Sequence, residues 1–303
     1  SLAFGAGFSS TLDFLPRFAG SVSFFTVVSF TAFIFGSFTI FSFVLLSSAT
    51  DSFTTLVAFI FFSFGVFGTK SMPKQFLDIL GTGRTLLQQA YDRFSKIIPP
   101  ENFFVVTSAD YSALVKEQLP QIKTSQILAE PLRRNTAPCV AYAANKIKTI
   151  NPNANLIVAP SDHLILKEEE FLTQIKNGLD FVASHKVLLT LGIHPSRPET
   201  GYGYIQTGEK AVYNNLNNLY QVKTFTEKPD LRMAQIFLES GEFFWNSGIF
   251  LWSLSTILKA FEAHLPEVAS LFAQGERLYN TPSETAFIKK IYSECMGISI
   301  DYG

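Results

Sequence analysis

Between residues 75 and 200 the spacing of apolar positions changes period several times. Short runs of Val, Ile, Leu and Phe give way to stretches whose apolar residues recur every three or four positions. Residues 83–98, "GRTLLQQAYDRFSKII", place Leu86, Leu87, Ala90, Tyr91 and Phe94 on one helical face, and Pro99 and Pro100 stop the helix. "NFFVVTSAD" reads as a strand and "YSALVKEQL" as the helix after it. "SQILAEP" is a second strand. "APCVAYAANKIKTI" is a helix, with Thr136 as its expected N-cap and Pro138 in its first turn. "NLIVAPSDH" is a third strand, 169–184 a helix and "KVLLTLGI" a fourth strand. This order predicts an α/β domain with a mostly parallel sheet covered on both faces. Beyond residue 200 the order loosens through "GYGYIQTGE", "LYQVKTFTEKP", a helix at 231–239 ended by Gly241, and "SGIFLWS". That part reads as an inserted, partly antiparallel section.

The first 68 residues follow another pattern. They hold 18 of the 32 Phe and three charges, Asp13, Arg17 and Asp51. Two runs, 18–50 and 52–69, carry no charge and are long enough to cross a bilayer as helices. Ser and Thr are scattered through both, and no Lys/Arg cluster flanks them to set an orientation. Lys and Glu codons read on the opposite strand give Phe with Ser, Thr and Val. The expectation is therefore that 1–68 is not native to the domain, arising from a misread or rearranged gene segment, with a membrane anchor as the alternative. The domain proper is placed at 69–303, truncated at both ends.

Composition narrows the classes. The net charge of -1 and a pI near 6.4 give no reason to expect nucleic acid as a partner. Cys139 and Cys295 form no CxxC pair, so neither a disulfide framework nor a zinc site is suggested, and a reducing cytoplasm is the default compartment.

In open α/β sheets, ligands sit beyond the carboxyl ends of strands. Three polar clusters fall there. Ser161, Asp162 and His163 follow "NLIV" directly. An Asp at that place can hold Mg²⁺ and, through it, phosphate oxygens; the same position also suits a helix cap. Glu130, Arg133, Arg134, Asn135 and Thr136 form a loop between strand and helix, suited to an anion or a base edge, or to a solvated turn. Glu227 and Lys228 follow "VKTF"; a carboxylate beside an ammonium can grip a sugar hydroxyl and a phosphate, and Glu-Lys-Pro is also an ordinary turn.

Taken together, "MPKQFLDILGTGRTLLQQAYDR", "EPLRRNTAPCVAYAA", "VAPSDHLI", "ETGYGYIQTGE", "VKTFTEKPD" and "FFWNSGIFLWS" resemble the sugar-phosphate nucleotidyltransferases, and within them the mannose-1-phosphate guanylyltransferases. The resemblance covers about 69–303. It implies a Rossmann-like (GT-A-like) fold, a mixed, mostly parallel sheet with helices on both faces. It implies GTP and mannose 1-phosphate as substrates, GDP-mannose and pyrophosphate as products, Mg²⁺ as cofactor and a cytoplasmic enzyme; a homodimer is allowed. A membrane enters only if 1–68 is genuine. Lys74 resembles the signature lysine that meets triphosphate charge, and Asp162 the Mg²⁺ ligand. Glu130, Arg134, Asn135 and Thr136 resemble the nucleotide side. Gly203, Glu227, Lys228 and Asn246 resemble the sugar-phosphate pocket, while Phe244 and Trp245 read as wall or core.

Two departures from the family pattern stand out. A Gly-Gly-x-Gly-x-Arg phosphate loop is expected about a dozen residues before Pro73, but the interval reads "FFSFGVFGTKSM". The strand that leads into that loop is central in the family's sheet and is lost unless part of 53–64 replaces it. At the other end, "ISIDYG" stands where the family continues toward another metal-binding Asp, and Asp301 is left unassigned. The expected consequence is low activity.

Overall fold

A computed structural model describes residues 25–30, 56–61, 68–69, 72–213 and 216–302. The strands are β1 (Phe25–Phe30), β2 (Leu56–Phe61), β3 (Gly68–Thr69), β4 (Met72–Pro73), β5 (Phe103–Ser108), β6 (Ile127–Glu130), β7 (Asn155–Pro160), β8 (Leu188–Ile193), β9 (Tyr204–Tyr213), β10 (Leu216–Thr226) and β11 (Phe243–Ser253). The helices are α1 (Leu86–Phe94), α2 (Ser112–Gln118), α3 (Thr136–Lys148), α4 (Glu168–Ser184), α5 (Leu231–Ser240), α6 (Leu254–His264), α7 (Pro266–Ala273) and α8 (Glu284–Glu294).

Nine strands make one sheet in the order β6-β5-β2-β7-β11-β8-β1-β10-β9. Strands β6, β5, β2 and β7 are mutually parallel, and β8 is parallel to β1. Strand β11 runs against β7 and β8, and β10 runs against β1 and β9. The fold is thus Rossmann-like, with its antiparallel section where the sequence loosens. Strand β2 takes an interior position, third of the nine, pairing from Leu56 against Asn155 to Phe61 against Pro160 on one side and with Phe103 to Val106 on the other.

Side chains alternate across the sheet and feed two cores. One lies beneath α3, α6, α7 and α8, and the other beneath α1, α2 and α4. Helix α4 comes closest at Gly178, where an added Cβ would lie 3.0 Å from Leu189 and 3.1 Å from Leu251. Helix α1 begins at a capping box: Thr85 accepts from the Gln88 backbone N–H, and the Gln88 side chain accepts from the Thr85 N–H. Helix α3 is capped one residue before the expected position. Asn135, held at φ 67°, accepts the Thr136 N–H, so Thr136 is the first helical residue and not the cap.

Among the described residues no helix is long and apolar enough to cross a membrane. Most of the two charge-free runs, and residues 62–67 of the expected phosphate loop, lie outside the described residues. The described parts of those runs are strands, β1 in the first and β2 and β3 in the second.

Candidate active site

The parallel strands present their carboxyl ends along one edge, and the sequence-predicted clusters gather there. Lys74 lies in the short 3-10 turn after β4 and Asp162 two residues past β7. The Lys74 Nζ sits 2.6 Å from Asp162 Oδ2, with the carboxylate only 3 % exposed. Thus two residues 88 positions apart in the numbering form one ion pair. Arg93 on α1 holds the loop beyond Asp162: its guanidinium donates to the His163 carbonyl at 3.5 Å and stands 3.7 Å from Glu168. Burial holds the His163 imidazole below its ordinary value; Asp162 opposes the shift, and Arg93 and Lys74 add to it. The ring is neutral at pH 7, a poor partner for an anion but a compact wall.

Among the described residues, Ser161 Oγ, Thr107 Oγ1 and both amide atoms of Gln75 are buried polar atoms without hydrogen-bond partners, Ser161 and Gln75 each next in sequence to a member of this pair. Thr107 and Ser161 each stand one residue beyond the register partners of Phe61, on either side of β2 and on the same sheet face. In the sequence Thr107 drew no notice, and Gln75 figured only as part of the motif "MPKQFLDILGTGRTLLQQAYDR". Their signal is a polar residue at a buried position next to a strand end.

Of the residues expected on the sugar side, Gly203 precedes β9, Glu227 and Lys228 follow β10, and Asn246 lies in β11 where its register with β8 shifts. That irregularity contains Gly248 at φ 67°, which L side chains adopt rarely. The Asn246 N–H donates to the Gly203 carbonyl at 2.7 Å. A Cβ on Gly203 would fall 2.8 Å from Glu227 Oε2 and 3.5 Å from the Asn246 Cβ, so Gly203, Glu227 and Asn246 form one cluster. Lys228 Nζ pairs with Glu227 at 3.1 Å and is mostly exposed. The turn before Gly203 is pinned by Glu199, whose carboxylate accepts from the Gly201 N–H at 3.0 Å and from Arg197 at 2.9 Å. Phe244 and Trp245 are buried, and Trp245 meets Tyr202 edge-on.

The residues expected on the nucleotide side are tied inward. Glu130 ends β6 with its carboxylate accepting from the Cys139 thiol at 2.9 Å, and burial pushes it up to about 7. Arg134 Nε donates to the Tyr292 carbonyl at 2.9 Å. Thr136 Oγ1 accepts from the Ile300 N–H at 2.8 Å. Asp301 lies against Asn246, accepting from its Nδ2 at 2.8 Å. A cavity of about 890 Å³ lies elsewhere, beside β6 between α2 and α8, and none of the sequence-predicted site residues lines it.

Residues 69–285 match the nucleotidyl transferase family, and the chain belongs to it. More particularly, it is similar to a mannose-1-phosphate guanylyltransferase of Escherichia coli, 34% identical over 237 residues, covering 76% of this chain and 50% of the relative. It is 40% identical over 177 residues to the mannose-1-phosphate guanylyltransferase of Salmonella montevideo, covering 57% of this chain and 36% of that one. The chain spans about half the length of the curated relatives it matches. Among solved structures it resembles a mannose-1-phosphate geranyltransferase from Thermus thermophilus, with a TM-score of 0.71 and 26% identity over 82% of this chain and 70% of that one. It also resembles a mannose-6-phosphate isomerase from Helicobacter pylori, with a TM-score of 0.64 and 26% identity over 81% of this chain and 91% of that one.

Proposed function

We propose that this domain transfers a guanylyl group from GTP to mannose 1-phosphate, giving GDP-mannose and pyrophosphate. The observation that carries the reading is the Lys74–Asp162 pair at the edge where the parallel strands end. Its relatives' names supply the substrates. The sugar-phosphate oxygen attacks the α-phosphorus in line with departing pyrophosphate, and no covalent enzyme intermediate is needed. Catalysis is positioning and charge neutralisation. Lys74 meets the triphosphate charge, Glu227 and Asn246 hold sugar hydroxyls beside Gly203, and Lys228 meets the sugar phosphate. Arg134, Asn135 and Thr136, with Glu130 beneath them, shape the nucleotide side.

Mg²⁺ fits the residues present. It is commonly bound by one or two carboxylates with substrate phosphates and waters. Asp162 offers one buried carboxylate at the strand edge, with the unpartnered Ser161 hydroxyl next to it. Among the described residues no group of three His, Cys, Asp or Glu forms a closed cage, so Asp162 would hold the ion together with substrate. The chemistry a bound Mg²⁺ supplies is neutralisation of two anionic substrates and of the leaving pyrophosphate.

The interval "FFSFGVFGTKSM" lacks the double glycine and arginine, and this favours a second reading, a domain that binds without turnover. Each charge-assisted hydrogen bond to phosphate that the chain cannot make costs about 1.5–3 kcal/mol. Pyrophosphate release separates the readings. The expected result is slow release with GTP and mannose 1-phosphate, faster than with UTP or dTTP and glucose 1-phosphate. A preference for the uridylyl or thymidylyl pair overturns the assignment, and binding of GTP without release supports the second reading. A cytoplasmic location belongs to the same proposal.

A further inference from the structure

We propose that Ser299 is a positioning residue that couples the nucleotide side of the site to its sugar side, an inference that rests on the guanylyl-transfer reading above. Four hydrogen bonds carry it. Ser299 Oγ donates to Asp301 Oδ2 at 2.7 Å. Asn246 Nδ2 donates to the other oxygen of the same carboxylate at 2.8 Å. Ser299 Oγ stands 3.1 Å from Thr136 Oγ1, and the Ile300 N–H donates to Thr136 Oγ1 at 2.8 Å.

The inventory of protons fixes every direction along this path. A carboxylate only accepts, so the one proton of Ser299 goes to Asp301. Ser299 must then accept from Thr136, whose own oxygen accepts from Ile300. At the far end the Asn246 amide has a single orientation: Nδ2 faces the carboxylate and Oδ1 accepts the Gly248 N–H at 3.0 Å. The Asn246 backbone is bound in turn to Gly203, which abuts Glu227. A continuous path therefore runs from the first residue of α3 to the sugar-side cluster: among the described residues Ser299 joins the two sides through its side chain, and the Ile300 N–H, next to Asp301 in the chain, joins them through the backbone. When Ser299 changes, Thr136 keeps the Ile300 N–H and Asn246 keeps Asp301, so the backbone link remains, but the hydroxyl that ties the Asp301 carboxylate directly to Thr136 is lost.

Coupling between sites is a ratio of affinities. It is read by titrating the full chain with the non-transferable α,β-methylene analogue of GTP, with and without saturating mannose 1-phosphate. In the wild type the sugar phosphate tightens analogue binding by about fivefold or more. In Ser299→Ala each ligand alone binds within about twofold of wild type and the ratio falls by about twofold or more. Ser299→Thr, which keeps the hydroxyl, restores it. Should the alanine variant not fold, Ser299→Cys, of similar size and a weak donor, reads the same ratio and is expected to lower it. An unchanged ratio in folded Ser299→Ala or Ser299→Cys overturns the coupling role and leaves the functional reading standing. Failure of the wild type to bind the analogue at all overturns the functional reading, and the coupling with it.

Discussion

Gly203 leaves no room for a methyl group. Its hypothetical Cβ meets the end of the Glu227 side chain at 2.8 Å, a flexible neighbour that can swing away. Gly203→Ala is therefore expected to fold normally and to displace the carboxylate from the sugar-side cluster. Mannose 1-phosphate affinity should fall about tenfold, one hydrogen bond's worth to a charged group, with the urea midpoint almost unmoved. A lowered midpoint with unchanged affinity would show that the glycine serves packing alone. Glu130 carries the second prediction at this scale. Burial raises its folded value from the ordinary glutamate range to about 7, with the Cys139 thiol offsetting part of the rise. Between these values the folded chain binds more protons than the unfolded one, so stability falls as pH rises. The contribution is full below about pH 4.5 and lost by about pH 7, on the order of 3 kcal/mol. Glu130→Gln should flatten that slope in urea midpoints taken from about pH 4.5 to about pH 7.5. Lys74, Asp162, Gly203, Glu227 and Asn246 were legible because each sits beside a strand end or in a motif. The tie from Asn246 to Asp301 was not, since it crosses 55 positions of sequence and rests on tertiary packing. The cap of α3 was misplaced by one residue because Asn135 adopts a left-handed backbone that no apolar period reveals.

At the scale of elements, α3 and α8 are joined by a buried ion pair. Lys146 Nζ lies 2.6 and 2.7 Å from the two oxygens of Glu284, which also accepts from the Tyr142 hydroxyl at 2.6 Å and the Asn280 N–H at 2.7 Å. Removing one partner leaves the other charge buried and uncompensated. Glu284→Ala should cost about 3–5 kcal/mol, and Lys146→Met with Glu284→Leu should recover most of it. A double variant no more stable than the single one would assign the loss to packing of α8. Lys146 and Glu284 drew no notice in the sequence, since a Lys in one helix and a Glu far downstream read as solvated faces. The strands "NFFVVTSAD", "SQILAEP", "NLIVAPSDH" and "KVLLTLGI" were legible in order and parallel sense, because runs buried on both faces leave a clear apolar signal. What pattern could not fix was the path of β11. Its first residues pair with β9 and its last with β7, and the switch depends on the irregularity at Asn246 to Gly248.

For the molecule as a whole the open issue is the first 68 residues, which composition sets apart and which precede the family match at 69–285. Twelve of them form β1 and β2, and both are interior by hydrogen bonding, β2 between β5 and β7 and β1 between β8 and β10. A chain beginning at residue 69 would leave β5 and β7 with facing backbone edges along the registers β2 now fills, four residues of one and six of the other. Each buried backbone group left unpaired costs about 1–3 kcal/mol, and a few such groups exceed the roughly 5–15 kcal/mol that holds a domain folded. Residues 69–303 alone are therefore expected to show no cooperative urea transition by circular dichroism, whereas the full chain shows one. A cooperative transition in the shortened chain with the same midpoint and slope would mean that β5 and β7 close on each other without β2. In that case the ion pair of Lys74 and Asp162 is held by residues 72–302 alone, and the apolar character of 56–61 has no part in placing it.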